Sequence, residues 1–362
     1  MKKIIHVLTD TNIGGAGIWL VNFLRSFDRT KFEIIAALPQ GSLLIEEIKK
    51  LDIKVLEVSG VSDKSFSAGG ISAFLKLFKE EKPDIVHCHA SLSARIAARL
   101  LGIRVVNTRH CLEEKKTGIK KIVYSMVNNC LSDVIIGVSK ATCDNLLQDG
   151  VKKKKLRLVY NGVLPVRELS DTEREEIKKE LNIPTENIVV GIIARLESVK
   201  NHKLFLDAAK LILKVRNDIT FLVIGTGTLE EELKQYTKTL EIEDSVIFCG
   251  YQKDITKVLN ICDINTLASQ KEALSISLIE GMTIGIPAVA TDSGGPCEVL
   301  ENNTGGIIVK NNSAKEFCDA VLLLAGDKEK RIKMGAKGKK RAEEVFSVSI
   351  MAEKIEKIYD EI

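Results

Sequence analysis

The chain alternates short β-rich apolar runs with helical stretches, and it does so twice over. KIIHVLT, FEIIAAL, IKVLEV, DIVHCH, RVVNT, DVIIGVS and LRLVYNG occupy the first half; IVVGIIA, TFLVIG, VIFCG, DINTLA, PAVAT and GIIV restart the pattern in the second. Such runs, with helices between them, belong to parallel sheets covered on both faces. Between the two series lies LPVRELSDTEREEIKKELNIP, a polar segment bracketed by Pro165 and Pro184 that reads as a linker plus a surface helix. The expected architecture is therefore α/β, with two doubly wound, Rossmann-like domains facing a cleft. Residues 1–165 form the first and 166–344 the second, a division suited to 362 residues. The segment 345–362 is amphipathic, with Ile350, Ile355 and Ile358 near one face, and either ends the second domain or crosses back to the first. In doubly wound sheets ligands bind outside the carboxyl ends of strands, so chemistry is sought in the loops that follow each run.

Charge is uneven. Residues 1–165 carry a net +10 and the remainder −6, which points to an anionic partner for the first half, such as a membrane surface or lipid phosphate. Nucleic acid fits poorly, because aromatics are only 5% of the chain and no binding motif is present. No apolar run approaches a membrane span, and Asp10 ends the first apolar stretch too early for a secretion signal. The eight cysteines include no C-x-x-C pair and read as free thiols of a reducing cytoplasm.

Several residues at run ends carry chemistry. Glu272 and Glu280 lie in ASQKEALSISLIEGM, the first in a loop and the second about two turns into a helix. The amides near Leu274 and Ser275, at the start of that helix, suit a diphosphate, and the two carboxylates suit sugar hydroxyls. A solvated helix face is the other reading of such a pair. Arg195 and Lys200, in IIARLESVKNHK, offer a planar fork and a mobile point charge for the same diphosphate, or are ordinary surface cations. Gly225 and Gly227 form a second loop of close backbone approach. Gly14, Gly15 and Gly17 form another, and match neither a dinucleotide nor an ATP fingerprint. His87 and His89 share one strand face, but no zinc-like ligand spacing accompanies them, so no metal site is expected. His110, at the end of RVVNTRH, is the better candidate for contact with a reacting sugar.

Taken together, GGAG, VYNGV, the Arg195/Lys200 pair, GTG, the two glutamates with seven residues between them and PAVATDSGGPCEV resemble the family 4 glycosyltransferases of GT-B fold over nearly the whole chain. The resemblance implies a retaining, metal-independent transferase whose second domain holds a nucleotide sugar and whose first receives the acceptor. It places Arg195 and Lys200 on the donor diphosphate, Glu280 on the ribose, Glu272, Leu274 and Ser275 at the donor sugar, and His110 near the transferred sugar. Gly15 would approach the donor, Tyr251 would frame the base, and the final helix would return to the first domain. UDP is the expected base carrier, with a cell-surface glycan or lipid-linked precursor as acceptor and no bound cofactor. A catalytically silent nucleotide-sugar-binding partner and a GT-B epimerase are the competing readings.

Three features depart from the family pattern. Ala273-Leu274-Ser275 replaces Gly-Phe-Gly, and Gly281 replaces an alanine, which alters the pocket around the sugar. Gly17 stands where an acidic residue often follows the glycine pair. On the acceptor side, Lys115, Lys116, Lys120, Lys121 and Lys152 to Lys155, with Ile119, Ile122 and Val123, read either as a membrane-resting basic segment or as a solvated lysine surface.

Overall fold

The computed structural model describes residues 1–362 apart from Ile13 and Asn302. The chain divides into two compact units, Met1–Leu164 with Phe346–Ile362, and Pro165–Val345.

The first unit is built on a seven-stranded sheet of β1 (Lys2–Leu8), β2 (Phe32–Pro39), β3 (Lys54–Val58), β4 (Ile85–His89), β5 (Arg104–Arg109), β6 (Val134–Gly137) and β7 (Leu156–Leu158), in the order β3-β2-β1-β4-β5-β6-β7. Every pairing is parallel. The strand order reverses between β1 and β4, which makes their carboxyl ends the crevice of this sheet. Register sets His6 beside His87 and Leu8 beside His89.

The last helix, Val348–Glu361, packs on this unit through Val348, Met351, Ala352, Ile355, Ile358 and Tyr359. Each large apolar side chain so buried contributes about 1.5–3 kcal/mol. Ile350 is only partly buried and is not among these packing residues; its amide donates to the capping Ser347 hydroxyl. The chain reaches the helix across Val163, whose N–H donates to Phe346 at 2.8 Å. A Cβ on Gly162 would stand 2.6 Å from the Val348 Cα, so the glycine of VYNGV is required by this crossing.

The second unit holds a six-stranded parallel sheet of β8 (Ile188–Ile193), β9 (Ile219–Ile224), β10 (Val246–Gly250), β11 (Ile264–Leu267), β12 (Ala288–Thr291) and β13 (Gly306–Val309), in the order β10-β9-β8-β11-β12-β13. Its reversal lies between β8 and β11. Phe205, Phe221 and Phe317 meet edge-on in the core on one side of this sheet. Among the described residues no helix is long and apolar enough to cross a membrane, and all eight cysteines are free.

Candidate active site

In the second unit the candidate residues gather where β8 and β11 end. After β8 the chain turns through Arg195 and a short 3-10 segment, Ser198–Lys200, before the helix His202–Leu213. After β11 it passes Ser269 and Glu272 into the helix Ile276–Thr283. The two loops are tied by the Gln270 N–H, which donates to the Val199 carbonyl at 2.8 Å. Lys200 Nζ forms an ion pair with Glu272 Oε2, with both side chains largely shielded, and Ser269 Oγ donates to the same carboxylate at 3.3 Å. Arg195 is exposed and has no ion pair among the described residues. An exposed cation, a cation–carboxylate pair and a helix start thus lie on the two loops that follow β8 and β11.

The loop holding Glu272 is fixed by backbone. Glu272 N–H donates to Ser293 and Gly295 N–H donates to Glu272, each at 2.9 Å. A Cβ on Gly295 would lie 2.0 Å from the Ala273 carbonyl oxygen, which accounts for the second glycine of SGGP. Ser275 caps the following helix, accepting from the Leu278 N–H at 3.3 Å. The N–H groups of Leu274 and Ser275 have no acceptor among the described residues. Open amides at a helix start, in residues about 5% exposed, form a ready anion site.

Glu280 is partly buried, and its carboxylate has neither an ion pair nor a hydrogen bond among the described residues. Desolvation pushes its pKa up to about 7. An uncompensated carboxyl of this kind destabilises the empty protein and makes the position a functional-site candidate. Gly281 beside it has a physical reason: a Cβ there would stand 2.7 Å from the Asn265 amide, which donates to Ser277 at 2.8 Å.

Gly225 and Gly227 face protein and not open space. Gly225 has φ +137°, and a Cβ on it would meet the Ala194 carbonyl oxygen at 2.1 Å; on Gly227 it would meet that of Leu196 at 2.5 Å. These glycines let the β9 loop run against Ala194–Leu196, with Leu196 N–H donating to Thr226 at 3.0 Å, and so position Arg195. Tyr251 follows the edge strand β10 and is 59% exposed.

In the first unit, Gly15 opens the helix Gly15–Leu24 behind an uncapped Gly14. Gly17 is buried, and a Cβ on it would lie 2.9 Å from a Leu44 methyl, so this position faces the core. His110 follows β5. Burial and the neighbouring Arg109 push its pKa down to about 3, and its Nδ1 is shielded without a partner. His87 and His89 do share one face, stacked at 4.7 Å, and His6 joins them. The ligand atoms of these three lie within 4.8 Å of one another. The rings of His87 and His6 each stack within 18° of the His89 ring, and all their nitrogens already face protein partners, so the lone pairs do not converge on one point. His6 and Tyr359 were not foreseen as neighbours of His110. The equal placement of His6 and His87 within the runs KIIHVLT and DIVHCH was the only sequence signal.

Lys116 is occupied by Glu113 and Asp149, and Lys155 donates to the carbonyls of Asn129 and Ser132 at 2.6 Å. Lys115, Lys120 and Lys152 to Lys154 are exposed. On the helix Gly118–Leu131, Ile119, Ile122, Val123 and Met126 are exposed at 79, 67, 48 and 59%.

The model described as "Glycosyl transferases group 1" matches residues 173–341, and that described as "Glycosyltransferase Family 4" matches residues 13–167. The UDP-Gal:alpha-D-GlcNAc-diphosphoundecaprenol alpha-1,3-galactosyltransferase of Escherichia coli is 27% identical over 300 residues, covering 78% of this chain and 77% of that protein. The N-acetyl-alpha-D-glucosaminyl L-malate synthase of Bacillus anthracis is 26% identical, with 80% and 78% covered. Among solved structures, HepE of Anabaena in complex with UDP and glucose superposes with a TM-score of 0.88 over the whole of both chains at 20% identity. With both units matched by transferase models and a fold shared end to end, the chain belongs to the family 4 glycosyltransferases of GT-B fold and is an enzyme of glycosyl transfer.

Proposed function

We propose that this enzyme moves a hexose-type sugar from a UDP-sugar to a hydroxyl of a cell-surface glycan or lipid-linked precursor, with retention of configuration. The observation that carries the reading is the crevice between β8 and β11. There the open amides of Leu274 and Ser275, the Lys200–Glu272 pair, Arg195 and the unpartnered Glu280 stand together. The amides, Arg195 and Lys200 are assigned to the diphosphate, Glu280 to the ribose hydroxyls and Glu272 to the donor sugar. Tyr251 is assigned to the base, with Gly225 and Gly227 shaping the loop and Gly15 approaching the donor. His110 is assigned to hydroxyls of the reacting sugar. A relative named for a UDP-galactose donor and a diphosphoundecaprenol-linked acceptor supports this choice of substrates, as does a same-fold structure with UDP and glucose.

In the step envisaged, the bond from the anomeric carbon to the diphosphate oxygen breaks as the acceptor oxygen bonds to that carbon on the same face. The acceptor proton passes to the departing phosphate oxygen. Arg195, Lys200 and the amides stabilise the growing charge, so no bound metal is needed; such donors are worth about 2.7–4 kcal/mol of barrier when removed singly. Thermal stability with UDP, GDP, ADP and NAD in turn tests the site. A shift with UDP alone is expected, and ligand at 100 times its Kd adds about 2.7 kcal/mol. No shift with any nucleotide at millimolar concentration would overturn the reading. Undiminished turnover in EDTA and an α-linked product from an α-linked donor complete the test. A trapped covalent sugar adduct on Glu272 would replace the same-face step.

We also propose that the enzyme works at the cytoplasmic face of an anionic membrane. Ile119, Ile122, Val123 and Met126 recur at i, i+3, i+4 and i+7, so one helix face is apolar and open, flanked by Lys115 and Lys120. Basic amphipathic surfaces of this kind seat in the headgroup region. Co-sedimentation with phosphatidylglycerol vesicles, lost in Ile119→Asp/Ile122→Asp, is expected. Binding indifferent to lipid charge and to salt would remove the proposal.

A further inference from the structure

Four of the five histidines form one hydrogen-bonded chain inside the first unit. His110 Nε2 faces His89 Nδ1 at 2.9 Å, and His89 Nε2 faces His6 Nδ1 at 3.1 Å. His6 Nε2 faces the Tyr359 hydroxyl at 2.9 Å, which faces His87 Nδ1 at 2.5 Å; His87 Nε2 faces Thr108 Oγ1 at 2.7 Å. Trp19 lies against four of these rings, with centroids 4.8 Å from His89 and 5.7 Å from His110. Burial keeps all four imidazoles neutral, with His6 and His110 pushed down to about 3.

Each contact needs one hydrogen, and a neutral imidazole supplies one N–H and one lone pair. The Tyr359 hydroxyl donates once, and an arrangement in which its oxygen accepts from both His6 and His87 leaves its own buried hydrogen without an acceptor among the described residues. With that hydrogen used, choosing one ring's tautomer forces all the others, and only two arrangements fill every contact. In one, all four histidines carry the proton on Nδ1 and Thr108 donates to His87. In the other, all four carry it on Nε2 and His87 donates to Thr108.

The ends of the chain decide between them. With Nδ1 protonated, the single unsatisfied group is the His110 Nδ1–H. With Nε2 protonated, His110 Nδ1 is still unpartnered, and the hydroxyl hydrogen of the fully buried Thr108 also lacks an acceptor among the described residues. Two unsatisfied buried groups cost more than one, since each keeps its own desolvation penalty. We infer that Thr108, acting through His87, Tyr359, His6 and His89, holds His110 as its Nδ1–H tautomer, so that His110 donates a hydrogen bond to a sugar oxygen and does not act as a base. The chain conducts no proton to solvent, because it ends on buried Thr108. Its members are positioning residues. The last clause of the inference rests on the assignment of His110 to the sugar; the tautomer itself does not.

Nitrogen-15 NMR of histidine-labelled full-length enzyme reads each tautomer directly. All four imidazoles protonated on Nδ1 is the expected result, and an Nε2–H at His110 overturns the inference. Thr108→Val, an isosteric change four hydrogen-bonded groups away from His110, and Tyr359→Phe both remove the bias. His110 then becomes a mixture of tautomers, which a purely structural role would not produce. At an even mixture the apparent affinity for the donor falls about twofold with kcat at saturation unchanged, since ligand selects the competent form. A His110 that stays wholly Nδ1–H in both folded variants overturns the inference. Mixed tautomers with unaltered KM keep the chain and instead remove His110 from the sugar, separating failure of this inference from failure of the site assignment. Should Tyr359→Phe unfold, the wild-type spectrum and Thr108→Val decide.

Discussion

Lys200 and Glu272, 72 residues apart, meet in an ion pair between the loops that follow β8 and β11. In the empty enzyme the cation proposed for the diphosphate is therefore held by the carboxylate proposed for the sugar. Glu272→Gln releases Lys200 and removes a negative charge beside the anion site. UDP affinity is expected to rise roughly fivefold, for about 1 kcal/mol of relieved repulsion, while turnover falls. Lys200→Ala does the reverse for UDP and leaves Glu272 without its partner. Calorimetric titration of both variants with UDP decides; equal weakening by the two would place Glu272 on the nucleotide itself.

Glu280 gives the site a pH dependence with a definite sign. A carboxylate accepting from ribose hydroxyls binds best ionised, and this group titrates at about 7 in the empty protein. UDP affinity is expected to be flat above pH 7 and to fall up to about tenfold per unit below it. Glu280→Gln should show weaker binding and lose that part of the slope; UDP's own titration is common to both proteins. Stability moves the opposite way. The folded pKa lies above the unfolded one, so the wild-type carboxyl favours folding fully below about 4.5 and loses that contribution as pH rises through 7. Glu280→Gln should thus melt higher at pH 8, by up to about 3 kcal/mol, and converge with wild type near pH 4.5. A variant less stable at pH 8 would show that the carboxylate has a partner.

Gly225→Ala tests whether the β9 loop fixes Arg195. A Cβ would meet the Ala194 carbonyl oxygen at 2.1 Å on a backbone with φ +137°, a region open essentially to glycine alone. A loss of about 2–4 kcal/mol in denaturant melts is expected. Gly250→Ala, with φ +63° and nothing within 4 Å, should cost about 1–2 kcal/mol. Similar losses at both positions would mean that the Ala194 strand end yields.

The central strands were legible in the sequence because they are buried on both faces and so read as apolar runs; IVVGIIA became β8 and DINTLA became β11. The Glu280 helix was legible from its spacing and its Ser275 start. What a glycine faces was not. At Gly225 and Gly227 the missing Cβ makes room for the Ala194 and Leu196 carbonyls, and sequence cannot distinguish a backbone neighbour from a ligand. The pairing of Tyr359 with His6, 353 residues apart, was equally hidden, because it depends on which sheet the last helix covers. Ile350 counted toward the apolar stripe on spacing alone, yet Met351 and Tyr359 do the packing.

Acid should open the first unit before the second. His6, His87, His89 and His110 are neutral in the fold and would each bind a proton once unfolded. Their folded pKa values lie below the unfolded 6.5, so each costs about 1.4 kcal/mol of stability per unit as pH falls below that value. Among the imidazoles the second unit has only His202, pushed down to about 4, to act in this direction, and Glu280 opposes it. The single tryptophan, Trp19, is buried against the histidine chain, so its fluorescence reports the first unit alone. A fluorescence transition near pH 5 is expected, with β1 amides exchanging hydrogen while β9 amides stay protected. Simultaneous opening of β1 and β9 at every pH would show that the four imidazoles do not set the acid limit of their own unit.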